Sequence, residues 1–277
     1  MRRLLLRLAV LAALFALVLW VTFPTDVLVR WALAHAPLPA GRTVEFRTAS
    51  LRPWGLRLDD VVVREQDGRR VLRLAFLRLR PSWLGLFGPR PGFPWTIGAG
   101  ICSGEVDATV DDDGTTRTLD AGWSGIDVGL CLPYLTNQVA LSGRSGGSAR
   151  LRVAGGDALP VGDVAFTLAD AAWEPPRLED VLIHADAADV ALTLGAERLT
   201  IERATLRGPE LEAEASGGAR RARTLGDARL DVHLVIHAMP GLPDGLRRLL
   251  DGLPRRADGA WDFRLAGTLD VPRVERP

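Results

Sequence analysis

The chain has 277 residues, with 34 basic and 34 acidic side chains and a formal net charge of +0. Every basic residue is arginine, and with no excess of positive charge there is no electrostatic footprint for nucleic acid, which sets that class of partner aside. A hydrophobic fraction of 47% argues against disorder, and the length suffices for one large or two ordinary domains.

An apolar run from Leu8 to Phe23 follows Arg2, Arg3 and Arg7. Counted with Leu4 to Leu6 it approaches twenty residues, enough for a helix to cross roughly 30 Å of hydrocarbon. Leu8, Leu11, Phe15, Leu19, Trp20 and Phe23 belong to this expected anchor, and arginines ahead of it predict a cytoplasmic N-terminus with the bulk of the chain across the membrane. A cleaved signal peptide is the alternative, but its apolar region is normally roughly 7 to 15 residues and ends at a small-x-small site. Here the run is longer, and the only downstream Ala-x-Ala, Ala34 to Ala36, is followed by Pro37. The sequence therefore divides into residues 1–24 (cytoplasmic tip and anchor), 25–41 (membrane-proximal helix and linker) and 42–277 (exported β domain).

Asp26 to His35 carries Val27, Leu28, Trp31 and Ala34 at helical spacing before Pro37 and Pro39 stop it. From there the dominant period is two. Leu56 and Leu58 precede Val61 to Val63, then Leu72, Leu74 and Phe76 alternate until the phase flips to Leu77 and Leu79, which reads as a β-bulge. Arg80, Pro81 and Ser82 predict a strand end and a short helix start. Further strands are expected over Gly104–Val110, Ala149–Val153, Val164–Leu168, Val190–Leu194, Arg198–Glu202, Leu211–Ala215, Ala228–His237 and Trp261–Leu269. Turns are expected at Asp113-Gly114, Gly146-Gly147, Gly155-Gly156, Gly217-Gly218 and Asp258-Gly259. Helical patterns are short: Ser82–Phe87, Leu132–Thr136 and Asp244–Leu253. The expected fold is mostly β, an elongated, curved antiparallel sheet, open or two-layered, behind one N-terminal transmembrane helix; a sandwich of two small domains is the alternative.

Cys102 and Cys131 both fall on the exported side, where an oxidising compartment permits a disulfide; two buried thiols fit the same neighbourhoods. Gly143-Arg144-Ser145-Gly146-Gly147 matches G-x-S-x-G, yet a strand follows it where a nucleophile elbow needs a helix, so the stretch reads as a loop. His233 and His237 lie on a strand with their Cα atoms about 13 Å apart, too far to share one zinc, and they share the polar face with Asp231. Asp111 to Gly114 lacks the alternating ligands of a calcium loop and reads as a hairpin tip. Gly98, Gly100 and Gly104 miss the dinucleotide fingerprint by spacing. No catalytic, cofactor-binding or metal-binding constellation emerges.

Several local patterns, in this order, resemble the protein N family of the bacterial type II secretion system. They are Phe23-Pro24-Thr25-Asp26, Leu51-Arg52-Pro53, Leu77-Arg78-Leu79-Arg80-Pro81-Ser82 with Leu84-Gly85-Leu86, and Gly98, Gly100 and Gly104. Gly125-Ile126-Asp127-Val128 before Pro133-Tyr134-Leu135, Leu141-Ser142-Gly143 and Gly267-Thr268-Leu269-Asp270-Val271-Pro272 complete the set. The resemblance implies a non-enzymatic, single-pass inner-membrane component with a periplasmic β domain, a scaffold presented to other secretion-system subunits. That family is similar in architecture to AsmA-like, groove-forming membrane-anchored proteins, which implies a second possibility: a lipid-binding or lipid-transfer module. The two separate on whether Leu192, Leu194, Leu234, Ile236, Phe263 and Leu265 line a closed core or an open trough.

Overall fold

The computed structural model describes residues 25–35, 42–52, 55–65, 70–81, 95–135, 140–155, 159–174, 182–222, 227–268 and 271–275. No helix among them is long and apolar enough to cross a membrane, and the anchor expected over Leu8 to Phe23 lies outside the described residues, as does the helix expected over Ser82–Phe87.

Helix α1 (Thr25–His35) comes first, then strands β1 (Arg42–Glu45), β2 (Thr48–Arg52), β3 (Gly55–Glu65) and β4 (Arg70–Pro81). Strands β5 (Trp95–Ile101), β6 (Gly104–Asp112) and β7 (Thr116–Asp127) lead into helix α2 (Val128–Leu135). Next come β8 (Ala140–Ala154), β9 (Val161–Glu174), β10 (Ile183–Leu194), β11 (Arg198–Arg207), β12 (Leu211–Arg220) and β13 (Arg229–Ala238). Helix α3 (Asp244–Leu250) precedes β14 (Trp261–Thr268) and β15 (Pro272–Glu275).

All these strands belong to one curved antiparallel sheet of 15 strands. From β3 onward each strand pairs with its neighbour in sequence, while β1 and β2 both pair with β3. The chain is thus a meander in a single sheet rather than a sandwich of two domains.

Directly opposed residues in antiparallel strands share a face, so the registers trace two surfaces across the sheet. One runs Leu58, Leu77; Leu79, Ile97; Ala99, Val106, Trp123; Ala149, Val164, Leu192, Ile201; and Ala215, Leu234, Phe263. The other carries Asp120 opposite Arg150, Arg150 opposite Asp163, and Asp163 opposite Thr193. Alternation along each strand therefore yields one apolar and one charged face over the whole width.

Several boundaries differ from those expected. The phase flip falls earlier, at Ala75: Leu74 and Leu77 both join the N-terminal core, and Phe76 lands on the polar face. There the guanidinium groups of Arg78 and Arg57 lie 4.3 and 5.1 Å from the Phe76 ring centroid, and Gly100 leaves room for the ring. Residues 143–147 are not a loop but the middle of β8, and Gly217-Gly218 likewise lies inside β12. At Gly147 a Cβ would stand 2.5 Å from the Trp123 ring and 2.4 Å from the Ala165 carbonyl oxygen, so glycine here serves close packing, not chain reversal. Helix α2 begins four residues earlier than expected because Asp127 Oδ1 accepts from Leu130 N at 3.2 Å, an N-terminal cap. Helix α3 stops at Leu250 rather than Leu253, since Gly252 and Pro254 disfavour another turn.

Each end of the apolar face has its own buried core. At the N-terminal end Phe46, Leu58, Val61 and Leu74 pack together under Val29 and Leu33 of α1. At the C-terminal end Ile183, Leu211, Ile236, Trp261 and Phe263 are covered by Leu242 and by Leu250 of α3.

Candidate functional site: a half-covered apolar face

Between the two cores, the described residues form no further cluster of buried hydrophobic side chains. Among the described residues, no hydrophobic side chain from β5 through β8 is fully buried. Val106, Leu119, Trp123, Leu151, Val164, Phe166, Val190 and Leu192 are all half-buried. The polar partners beside them, such as Arg150, Asp163 and Asp189, are exposed. This is a continuous strip of half-buried hydrocarbon side chains with a closed packing at either end.

The six residues that the sequence grouped together divide across this boundary. Ile236 and Phe263 are buried in the C-terminal core, and Leu234 and Leu265 pack against it. Leu192 and Leu194 are half-buried and lie in the open part. The spacing of strand residues cannot distinguish these groups, because the difference is made by α3, which is distant from β10 in sequence.

Helix α2 lies against β8 and reaches β4, spanning one end of the strands between them. It is tied down by Cys102 and Cys131, whose sulfur atoms are 2.11 Å apart with Cα atoms at 5.6 Å. Cys102 occupies the β5–β6 hairpin, and its carbonyl accepts from Asp127 N at 2.9 Å, next to the helix cap. The disulfide and this hydrogen bond together fix α2 to the hairpin.

Ser145, the serine of the G-x-S-x-G match, accepts a hydrogen bond from Trp123 Nε1 at 3.1 Å on the apolar side of β8. It orients an indole. His233 and His237 both lie on the polar face of β13, and His237 is exposed opposite Glu212. Asp113 sits at a hairpin tip, where its Oδ1 accepts from the backbone N–H groups of Thr115 and Thr116. Gly98, Gly100 and Gly104 are strand residues paired with Asp107, Glu105 and Ile101. No group of three His, Cys, Asp or Glu side chains suited to a metal ion occurs among the described residues.

Two histidine–carboxylate pairs were not visible in the sequence, because their partners meet only across the folded sheet. Glu210, buried, accepts from His184 N at 3.1 Å and bonds His184 Nδ1 at 2.8 Å. Asp262, also buried, bonds His233 Nε2 through Oδ1 and accepts from Arg256 Nε through Oδ2. Burial pushes the Asp262 carboxyl up, but the hydrogen bonds from His233 and Arg256 outweigh it and hold the group below the usual carboxylate range. A depressed folded-state pKa means that this contribution to stability is complete above the ordinary aspartate pKa and lost as pH falls through the lower, folded-state value. Thermal melts of the full chain at descending pH should show a loss below about pH 4 that is smaller in Asp262→Asn. A variant that tracks the parent through that range would exclude Asp262 as its source.

Two shallow depressions, of about 450 and 590 Å³, lie largely on the polar face across β7 to β11. On their walls Arg150 Nε donates to Asp120 at 2.6 Å, and Asp163 accepts from Thr193 at 3.0 Å.

The fold and this face define a class of protein, a single-sheet antiparallel β protein with a half-covered apolar face. Compared with family models, curated proteins and solved structures, the chain matches none.

Proposed function

We propose that the chain is a non-enzymatic, inner-membrane-anchored protein whose periplasmic sheet binds the hydrocarbon part of a lipid-like amphiphile along its apolar face. The observation that carries this reading is the row of half-buried apolar side chains from Ile97 on β5 through Val164 and Leu192 to Ile201 on β11, away from the buried Ala171, Ile183 and Ala185 at the other end of β9 and β10. Seven adjacent strands at about 4.8 Å spacing give a strip roughly 29 Å wide, longer than the acyl chain of one leaflet, which is half of a roughly 30 Å hydrocarbon core. Each methylene transferred from water to such a surface contributes about 0.8 kcal/mol, so even partial coverage of one chain supplies useful affinity.

A photo-crosslinking amino acid placed in cells at Leu192 or Val164 should capture lipid, and the same group at Thr193 or Asp163, one residue along on the opposite face, should not. Equal capture at all four positions, or none at Leu192 and Val164, would refute the trough.

A second reading is the scaffold of a type II secretion system, which the local sequence patterns imply. The observation favouring it is the C-terminal edge, where Val271 and Val274 are 61% and 53% exposed beside β15. That edge strand is short and begins with Pro272, features that blunt strand addition, so a side-chain contact suits it better than β-augmentation. Under this reading the crosslinker at Val274 captures another protein and the one at Leu192 captures nothing.

A further inference from the structure

Helix α1 has two apolar faces, and the described residues pack against only one of them. Val29 and Leu33 pack onto the N-terminal core, whereas Val27, Leu28 and Trp31 are 64%, 43% and 62% exposed. At about 100° per residue, Val27, Trp31 and Leu28 fall within one sector about 170° from the inward pair. We propose that this outer face is seated in the headgroup layer of a lipid bilayer, with α1 lying along the membrane surface.

Three features select a bilayer over a protein partner as the occupant. The chain ahead of α1 is an uncharged apolar run, Leu8 to Phe23, that ends two residues before Thr25. Trp31, the largest exposed side chain on this face, belongs to a residue type that concentrates at membrane–water interfaces. Arg52, on the adjoining β2, is exposed and cationic, which suits anionic headgroups.

The helix is also rigidly joined to the sheet. Asp26 Oδ1 accepts from Ala49 N at 2.5 Å, Arg30 Nη2 donates to the Phe46 carbonyl at 3.3 Å, and the Arg30 guanidinium lies 4.6 Å from the Phe46 ring centroid. Seating α1 therefore orients β2 and β3, and with them the N-terminal end of the trough, against the membrane. This placement does not depend on what the trough carries.

The test uses the full chain, disulfide intact, reconstituted in vesicles of phosphatidylcholine and phosphatidylglycerol. Single cysteines are introduced as Val27→Cys, Leu28→Cys and His35→Cys, with Thr109→Cys on the polar face of β6 as the control, and each is labelled with an environment-sensitive fluorophore. Lipids brominated near the headgroup serve as quenchers. Val27 and His35 are about 12 Å apart along the helix, so a helix lying flat loses emission equally at both, and the Thr109 label loses none. Quenching at Val27 that vanishes by His35 means a helix standing upright from its anchor and overturns the proposal. A label at Leu28 that is unquenched overturns it too, whether its emission shows water or a covering protein surface.

Discussion

Trp261→Ala is expected to lower the unfolding free energy by about 3 to 5 kcal/mol, the range for removing a buried aromatic side chain. Trp261 is 2% exposed at the centre of the C-terminal core, between Ile236, Leu242, Leu250 and Phe263, with the Arg255 guanidinium 4.9 Å from its ring centroid. The cavity opens in the core to which Leu250 of α3 belongs. Its Nε1 meets no acceptor among the described protein atoms. Trp261→Phe keeps most of the ring and discards that donor, so it is expected to cost about 1 kcal/mol or less. Urea unfolding of the detergent-solubilised full chain, followed by circular dichroism, measures both. A midpoint unchanged in Trp261→Ala would mean that the C-terminal end is not a cooperative core.

Replacing both Cys102 and Cys131 by serine is expected to cost about 3 to 4 kcal/mol in the chain-entropy account of a loop this long. The bond spans a sequence separation of 29 and joins the β5–β6 hairpin to α2. The loss should be local at first: amide exchange quickens in α2 and at Asp127 N, which bonds the Cys102 carbonyl, and stays slow in β12 to β14. Exchange that accelerates evenly through the sheet would mean that the disulfide braces the whole fold and not one helix.

Much of the architecture could be read from alternation, and the failures have specific causes. Leu192 and Leu194, or Leu234 and Ile236, announce their strands because bulky apolar residues recur at every second place. Strand β7 was missed, since its apolar face contains Ala121 as well as Leu119 and Trp123, and small residues dilute the period. The glycines at 146–147 and 217–218 imitate turn chemistry, whereas the sheet uses glycine where a neighbouring ring or carbonyl comes too close for a Cβ. The trough itself was legible only as a question. Whether a strand's apolar face is open depends on α1 and α3, and both cover residues far from them in sequence: Leu33 near Val61, and Leu250 near Ile183. The pairing of His233 with Asp262 and of His184 with Glu210 required the registers, which no single strand contains.

The strand order has a further consequence. From β3 to β15 every ladder joins consecutive segments, so the structure is nearly one-dimensional: its stability is close to a sum of hairpin terms and nearest-neighbour couplings. The specialised units are the two ends, with α1 at one limit and α3 at the other, and the disulfide-tied α2, which couples β8 to β4. Duplication of an interior hairpin such as β6 with β7, neither of which contributes a residue to either end core, lengthens the array by about 10 Å while leaving both cores intact. Reach is then a variable that evolution or an engineer can tune in discrete steps without redesigning the ends.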